Sequence, residues 1–256
     1  MTEQTKKKTR ACRDTDYLFV SAYLRAKEPQ LLSREKAERM LASSVQEAVE
    51  LMATAFDVAD KYRNPVMLLG DGMLGQIMEP VEMIQERSEP LPKKPWASGV
   101  PEKEGRSMIN SMNINPDECE QHNYKLERKY QEITANEVRV QLIDTQGADI
   151  LLVAYGTMAR ICQRAARDAY KQLGLKVGLV RPITLWPYPY QALKNAAEQP
   201  SVKHVLSVEM STGQMVDDVR LAVCGAKPVS FYGRTGGMVP TVKDILAKLS
   251  SIKEGM

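Results

Sequence analysis

Four times between residues 147 and 256 the chain passes from a short apolar stretch, through a polar or glycine-bearing turn, into an amphipathic stretch of helical period. The apolar stretches are Asp149 to Tyr155, Lys176 to Val180, His204 to Glu209 and Pro228 to Tyr232. Each is rich in Val, Leu or Ile and barely alternates with polar residues, as a strand covered by helices on both faces requires. Strands alternating with helices predict right-handed crossovers and an α/β domain built on a parallel sheet. Ligands of such sheets gather at the carboxyl ends of the strands. There the chain places Gly156-Thr157, Arg181 to Thr184, Met210 to Gln214 and Gly233 to Gly237.

Helix punctuation supports the same division. Thr157 is read as the cap of a helix running from Met158 to Leu173, which Gly174 ends. A helix from Gln214 to Cys224 ends at Gly225, and Thr241 with Asp244 opens the last one. Upstream, Ser44 and Glu47 form a capping box for a helix with Val45, Ala48, Val49, Met52, Ala55, Phe56 and Ala59 on its buried face. Asn64-Pro65 stops it, and Val66 to Leu69 is a buried strand ending in Gly70-Asp71-Gly72. A lone helix and strand make no independent sheet, so this strand must pair elsewhere in the chain or with a partner, or else expose an edge. Prolines 90, 92, 95 and 101 mark an extended connector over residues 85–107. Asn115 and Pro116 start a long charged helix reaching Asn136, expected to lie on the surface or bridge the two globular parts. Residues 1–42 hold an apolar stretch, Tyr17 to Leu24, and a charged helix-like piece from Ser33 to Leu41, and read as a poorly specified extension.

The 256 residues suit one large or two small domains. With 35 basic and 32 acidic side chains, the balance argues against a nucleic-acid binder. No apolar run is long enough for a membrane span, and Arg25, Lys27 and Glu28 interrupt any signal-peptide core. A cytoplasmic protein is expected. Cys12, Cys119, Cys162 and Cys224 are scattered, so no disulfide framework, zinc site or local iron–sulfur site is expected. Cys162 and Cys224 fall on apolar helix positions and read as core. His122 and His204 lack spaced partners for metal or catalytic work.

Gly70 to Gly75 matches G-x-G-x-x-G after a strand, but no second strand with an acidic end follows, and Pro80 interrupts the helix a dinucleotide would need. The same Gly70-Asp71-Gly72 matches the diphosphate and magnesium motif of thiamine-diphosphate enzymes, yet residues 95–100 supply no asparagine. A tight turn is the favoured reading, and no metal site is assigned. Arg181 and Arg234 stand just past strand ends, where they could grip an anion or pair with Glu209 or another carboxylate. Ser211 to Gln214 open a helix whose N–H groups suit an anion, although capping alone explains them. Thr157, Arg181, Thr184, Glu209, Ser211, Gln214 and Arg234 are thus the candidate anion-binding or inter-domain contacts. Prolines 182, 187 and 189 around Trp186 stiffen a loop suited to an interface.

Five stretches carry a further likeness: Lys61 to Glu82, Ala148 to Arg160, Lys176 to Pro189, Val208 to Ala222 and Phe231 to Thr241. From about Ser43 to Leu249 the chain resembles the α subunit of 2-oxoacid:ferredoxin oxidoreductases, most closely the 3-methyl-2-oxobutanoate (2-ketoisovalerate) type, with the 2-oxoglutarate type next. The resemblance implies a complex that converts a 2-oxoacid, CoA and oxidised ferredoxin to acyl-CoA, CO2 and reduced ferredoxin. It implies thiamine diphosphate and magnesium for that complex, a β subunit holding the diphosphate and a 4Fe-4S cluster, and γ and ferredoxin-like subunits. Residues 43–84 would be the last helix and strand of a pyrimidine-binding domain, 85–146 a connector, and 147–256 a transketolase C-terminal-like domain. The family's activating glutamate and its Tyr-Pro-Ile-Thr-Pro motif lie before the point matching Ser43 and have no counterpart here, so no catalytic residue carries over and the chain is not expected to act alone. Two alternatives stay open: a non-catalytic α/β interaction module derived from that subunit, and a dinucleotide-binding oxidoreductase.

Overall fold

A computed structural model of the chain describes residues 37–83, 94 and 112–256. The expected extension up to residue 36, Cys12 included, and nearly all of the proline-rich connector lie outside the described residues.

The four apolar stretches are strands of one sheet: β4 (Ile150–Val153), β5 (Val177–Pro182), β7 (His204–Glu209) and β8 (Val229–Gly233). They pair in parallel in the order β5-β4-β7-β8. Helix α3 (Gly156–Leu173) follows β4, α4 (Tyr190–Ala197) precedes β7, α5 (Met215–Val223) follows it, and α6 (Val242–Glu254) closes the chain. The apolar runs are explained by their surroundings. Leu151, Val153 and Val205 face α4 and α5 in one cluster, while Ile150, Leu152 and Leu206 face α3 and α6 in the other. Every residue of β4 is buried. A further strand, β3 (Val140–Ile143), runs antiparallel along β5. Gly178 permits the contact beyond it, since a Cβ there would stand 2.8 Å from Thr145 Cα.

Of the second sheet, only Val66 to Leu69 was expected as a strand. Residues 38–41 form β1 (Glu38–Leu41), a buried strand and not part of a helix-like piece. It pairs in parallel with β2 (Val66–Leu69) and antiparallel with β6 (Thr184–Trp186). Val66 to Leu69 therefore finds its neighbour within the chain, although β2 is only half-buried and Met67 is exposed. Helix α1 (Val45–Tyr62) and the long helix α2 (Pro116–Asn136) cover this sheet through Leu51, Val58, Tyr62, Tyr130 and Ile133. Met52 and Phe56, placed on the buried face of α1 by their spacing, are exposed instead. Only Ile183 separates β5 from β6, so a single stretch of chain belongs to both sheets. Leu41 of β1 is part of the larger core.

The caps follow the sequence with two exceptions. Ser44 caps α1, Asn115 caps α2 with Pro116 at its start, and Thr241 with Asp244 forms a complete capping box. Glu47, by contrast, turns away from its box toward Ser43 and Arg181. Thr157 lies in the first turn of α3, and Tyr155 occupies the cap position with no side-chain cap bond. Cys162 is buried, but Cys224 is exposed because it ends α5 in a left-handed conformation and not on its apolar stripe.

Candidate functional site

Three polar ties bind the small sheet and its following turn to the larger one. The Asp71 carboxylate, in the turn after β2, accepts the Thr157 N–H at 2.7 Å, the Thr157 hydroxyl at 2.8 Å and the Leu74 N–H at 2.8 Å. It does from outside what a cap does from within, meeting an otherwise unpaired N–H at the start of α3. Gly156 is required for this approach: its φ is +55°, and a Cβ would stand 2.7 Å from Asp71 Oδ2. A second tie joins Arg160 of α3 to Glu79 at 2.7 Å, with Glu79 also accepting the Val45 N–H at 3.0 Å.

The third tie is Arg181 on β5. Its guanidinium meets both Glu47 oxygens, at 2.6 and 2.8 Å, and also reaches Ser43 Oγ and Gln141 Oε1. Burial works to raise the Glu47 carboxyl, but the hydrogen bonds from Arg181 and Ser43, with the Arg181 charge, outweigh it and hold the group below its ordinary value. A fork-on-fork pair of this kind fixes orientation as well as charge.

Thr184 and Glu209 are equally engaged. Buried Thr184 Oγ1 accepts the Arg139 N–H at 3.0 Å, which aligns β6 with the chain entering β3. Glu209 is fully buried and its carboxylate accepts five bonds, from the hydroxyls of Ser207 and Ser211 and from the N–H groups of Gln214, Met215 and Val216. The start of α5 is thus already occupied by a carboxylate of the chain itself. Arg234 stands 3.6 Å from Asp244 and is partly exposed. His204 Nε2 lies 2.7 Å from Ser230 Oγ, and burial lowers its pKa.

Ser211, Gln214 and Arg234 come together with Asp71 around one cleft of about 1060 Å³; Thr157 meets it only through Asp71, and Arg181 and Thr184 lie apart. One wall is the turn Gly70 to Gln76 with Val45 and Ala48 of α1, and the other is formed by Met210 to Gln214 and Arg234 to Val239. It is the carboxyl-end edge expected for a parallel sheet, roofed by the turn after β2. The sequence pointed to the sheet's side of the cleft, but not to the roof. The signal for the roof was the glycine-aspartate turn itself.

Residues 34–143 match the family model described as pyruvate flavodoxin/ferredoxin oxidoreductase, thiamine diphosphate-binding, and residues 148–245 match the pyruvate:ferredoxin oxidoreductase core domain II. Over 210 residues, 82% of this chain, it is 39% identical to the ketoisovalerate oxidoreductase subunit VorB of Methanothermobacter marburgensis. The chain belongs to the 2-oxoacid:ferredoxin oxidoreductase family. It spans 58% of the length of that subunit and of its counterpart in Methanothermobacter thermautotrophicus. The 2-oxoglutarate synthase subunit KorA of M. marburgensis is 30% identical over 237 residues, covering 82% of this chain and 62% of that one. A solved 2-oxoglutarate:ferredoxin oxidoreductase from Magnetococcus marinus, with 2-oxoglutarate, coenzyme A and succinyl-CoA bound, shares the fold. It has a TM-score of 0.65 at 19% identity, covering 84% of this chain and 42% of that one.

The family model matched by residues 34–143 is described as thiamine diphosphate-binding. The described residues do not fit the magnesium diphosphate of such a cofactor. Both Asp71 oxygens receive N–H or O–H donors of the chain, and no group of three metal-ligating side chains exists among the described residues. Nor is any described helix long and apolar enough to cross a membrane.

Proposed function

We propose that this chain is a docking and positioning subunit of a thiamine-diphosphate-dependent 2-oxoacid:ferredoxin oxidoreductase, acting within a cytoplasmic complex that turns a 2-oxoacid, CoA and oxidised ferredoxin into acyl-CoA, CO2 and reduced ferredoxin. The identity to the ketoisovalerate oxidoreductase subunit carries this reading. It favours a branched-chain 2-oxoacid over 2-oxoglutarate, whose synthase subunits are less similar. On this reading a β subunit supplies the diphosphate, magnesium and 4Fe-4S sites, with γ and ferredoxin-like subunits completing the electron path. The unit over 147–256 presents its carboxyl-end edge to these partners, while Thr157, Arg181 and Thr184 act as contacts between the chain's own modules.

One observation favours a second reading, a non-catalytic interaction module derived from such a subunit: the carboxylates of Asp71, Glu79 and Glu209 are all engaged in hydrogen bonds within the chain. Anaerobic affinity purification of the tagged chain from its own host separates the two. The oxidoreductase reading expects a co-purifying partner with bound thiamine diphosphate and iron–sulfur absorbance, together with CoA-dependent reduction of ferredoxin by a 2-oxoacid. Recovery of the chain alone, in cells making the other subunits, would sink it.

A further inference from the structure

Helix α1 carries a stripe of its own on the side turned away from the sheet. Positions 46, 49, 53, 56 and 60 recur at alternating steps of three and four, so Gln46, Val49, Ala53, Phe56 and Asp60 stand in one line along the helix, with Met52 beside it. The apolar middle of that line faces away from the core: Phe56 is 69% and Met52 47% exposed. Its two polar ends are each taken by the chain that follows β2. The Gln46 side chain accepts the Glu82 N–H at 2.8 Å and donates to the Glu82 carbonyl at 3.2 Å, while Asp60 pairs with Lys94.

Glu82 and Lys94 thus fix where the intervening chain leaves α1 and where it returns. Along the helix axis the two anchors, Gln46 and Asp60, are about 21 Å apart. The chain from Glu82 to Lys94 can reach about 40 Å, enough to run the length of the stripe and settle on it. Its composition suits that path: Ile84, Leu91 and, just past Lys94, Trp96 are apolar, and Pro90 and Pro92 beside Leu91 carry no N–H that burial would leave unpaired. Phe56 lies one helical turn from Asp60, within reach of a side chain two residues beyond Lys94. Held at both ends, the segment stands over the stripe at an effective concentration in the millimolar range, which a free partner does not match. We propose that residues 84–96 of the chain itself occupy this face of α1, with Leu91 and Trp96 laid on Phe56 and Met52. The connector then serves as a fourth tie of the small sheet, and this side of α1 is closed to other subunits.

Limited proteolysis of the full chain tests this without any partner subunit, so its outcome is separate from that of the oxidoreductase reading. Trypsin should cut after Arg87 at least about tenfold more slowly in the chain than in a synthetic peptide of residues 82–96. F56S changes a side chain outside the core, and its fold is checked by far-UV circular dichroism. It should return the cleavage rate most of the way to that of the peptide. With W186F introduced so that Trp96 is the one tryptophan, acrylamide should quench Trp96 less in the chain than in the peptide, and F56S should remove most of that difference. Cleavage of the parent chain at the peptide's rate would overturn the proposal, a comparison that is independent of whether any variant folds. So would protection of Arg87 that F56S leaves unchanged, which puts the segment on another surface. A concentration-dependent dimer in sedimentation that F56S dissolves would overturn it as well, giving the face to a second copy of the chain.

Discussion

The two sheets are built to different standards. In the five-stranded sheet the central strands are sealed on both faces by helices, and β4 and most of β7 admit no solvent. The three-stranded sheet keeps β2 half-exposed and carries Glu38 and Arg39 buried in its middle strand. Neither oxygen of Glu38 has a hydrogen-bond partner. The first sheet gains its stability from apolar burial, whereas the second is held by its neighbour, through β6 and the three polar ties. Substitutions should therefore divide into those that detach the small sheet and those that weaken the whole chain.

Asp71→Ala should have the largest effect. It leaves the Thr157 N–H and hydroxyl and the Leu74 N–H unpaired, at a cost of about 4 kcal/mol. Urea unfolding followed at Trp186 and by far-UV circular dichroism should then split into two transitions. Coincident transitions would mean that the small sheet stands without the tie.

Leu206→Ala, in a position with no exposure, should cost about 3 kcal/mol and lower both signals together. A loss confined to one signal would contradict the dependence of the small sheet on the large one.

Glu38 gives the comparison a pH dependence. Burial, reinforced by the Glu137 carboxylate and opposed by Arg139 and Lys61, pushes its carboxyl from an ordinary 4.5 up to about 7. Below the ordinary value both states hold the proton, and the stabilising effect is fully present. As pH rises the unfolded chain ionises first, so stability falls until the folded group also ionises near 7. About 3 kcal/mol should be lost between about pH 4 and about pH 8, and Glu38→Gln should remove that slope. An unchanged slope in the variant would place the titration elsewhere.

Arg181→Met strips the charge from a nearly enclosed pair and should cost about 2 kcal/mol, since Glu47 regains some water. Faster amide exchange should be confined to α1 and the small sheet. The least effect belongs to Thr241→Ala, about 1 kcal/mol from the capping box of α6, with the small sheet's exchange unchanged.

Legibility in the sequence follows the same divide. β4, β5, β7 and β8 announce themselves because burial on two faces forces an unbroken apolar run. β1 reads Glu-Arg-Met-Leu after a charged stretch, and β6 sits among prolines; neither has a local reason to be a strand. Each becomes one only by meeting the other, which is tertiary context overriding propensity. The candidate site divides likewise. The turns of the large sheet were readable from strand ends, so Ser211, Gln214 and Arg234 were found together on one cleft. Glu47 could not be named as the partner of Arg181, because spacing carries no information across so many residues. Asp71 stood in a motif that suggested a tight turn, which it makes through Leu74, while its grip on Thr157 depends on a helix that begins far downstream.

The pairing of β1 with β6 also sets a timetable. Met40 must wait for Thr184, so during synthesis β1, β2 and α1 leave the ribosome well before the strand that completes their sheet. At ordinary elongation rates that interval is roughly 10 to 30 s, long compared with helix or hairpin formation. For that time Met40, Leu41 and Val58 have no finished core to enter, and their apolar surface faces water.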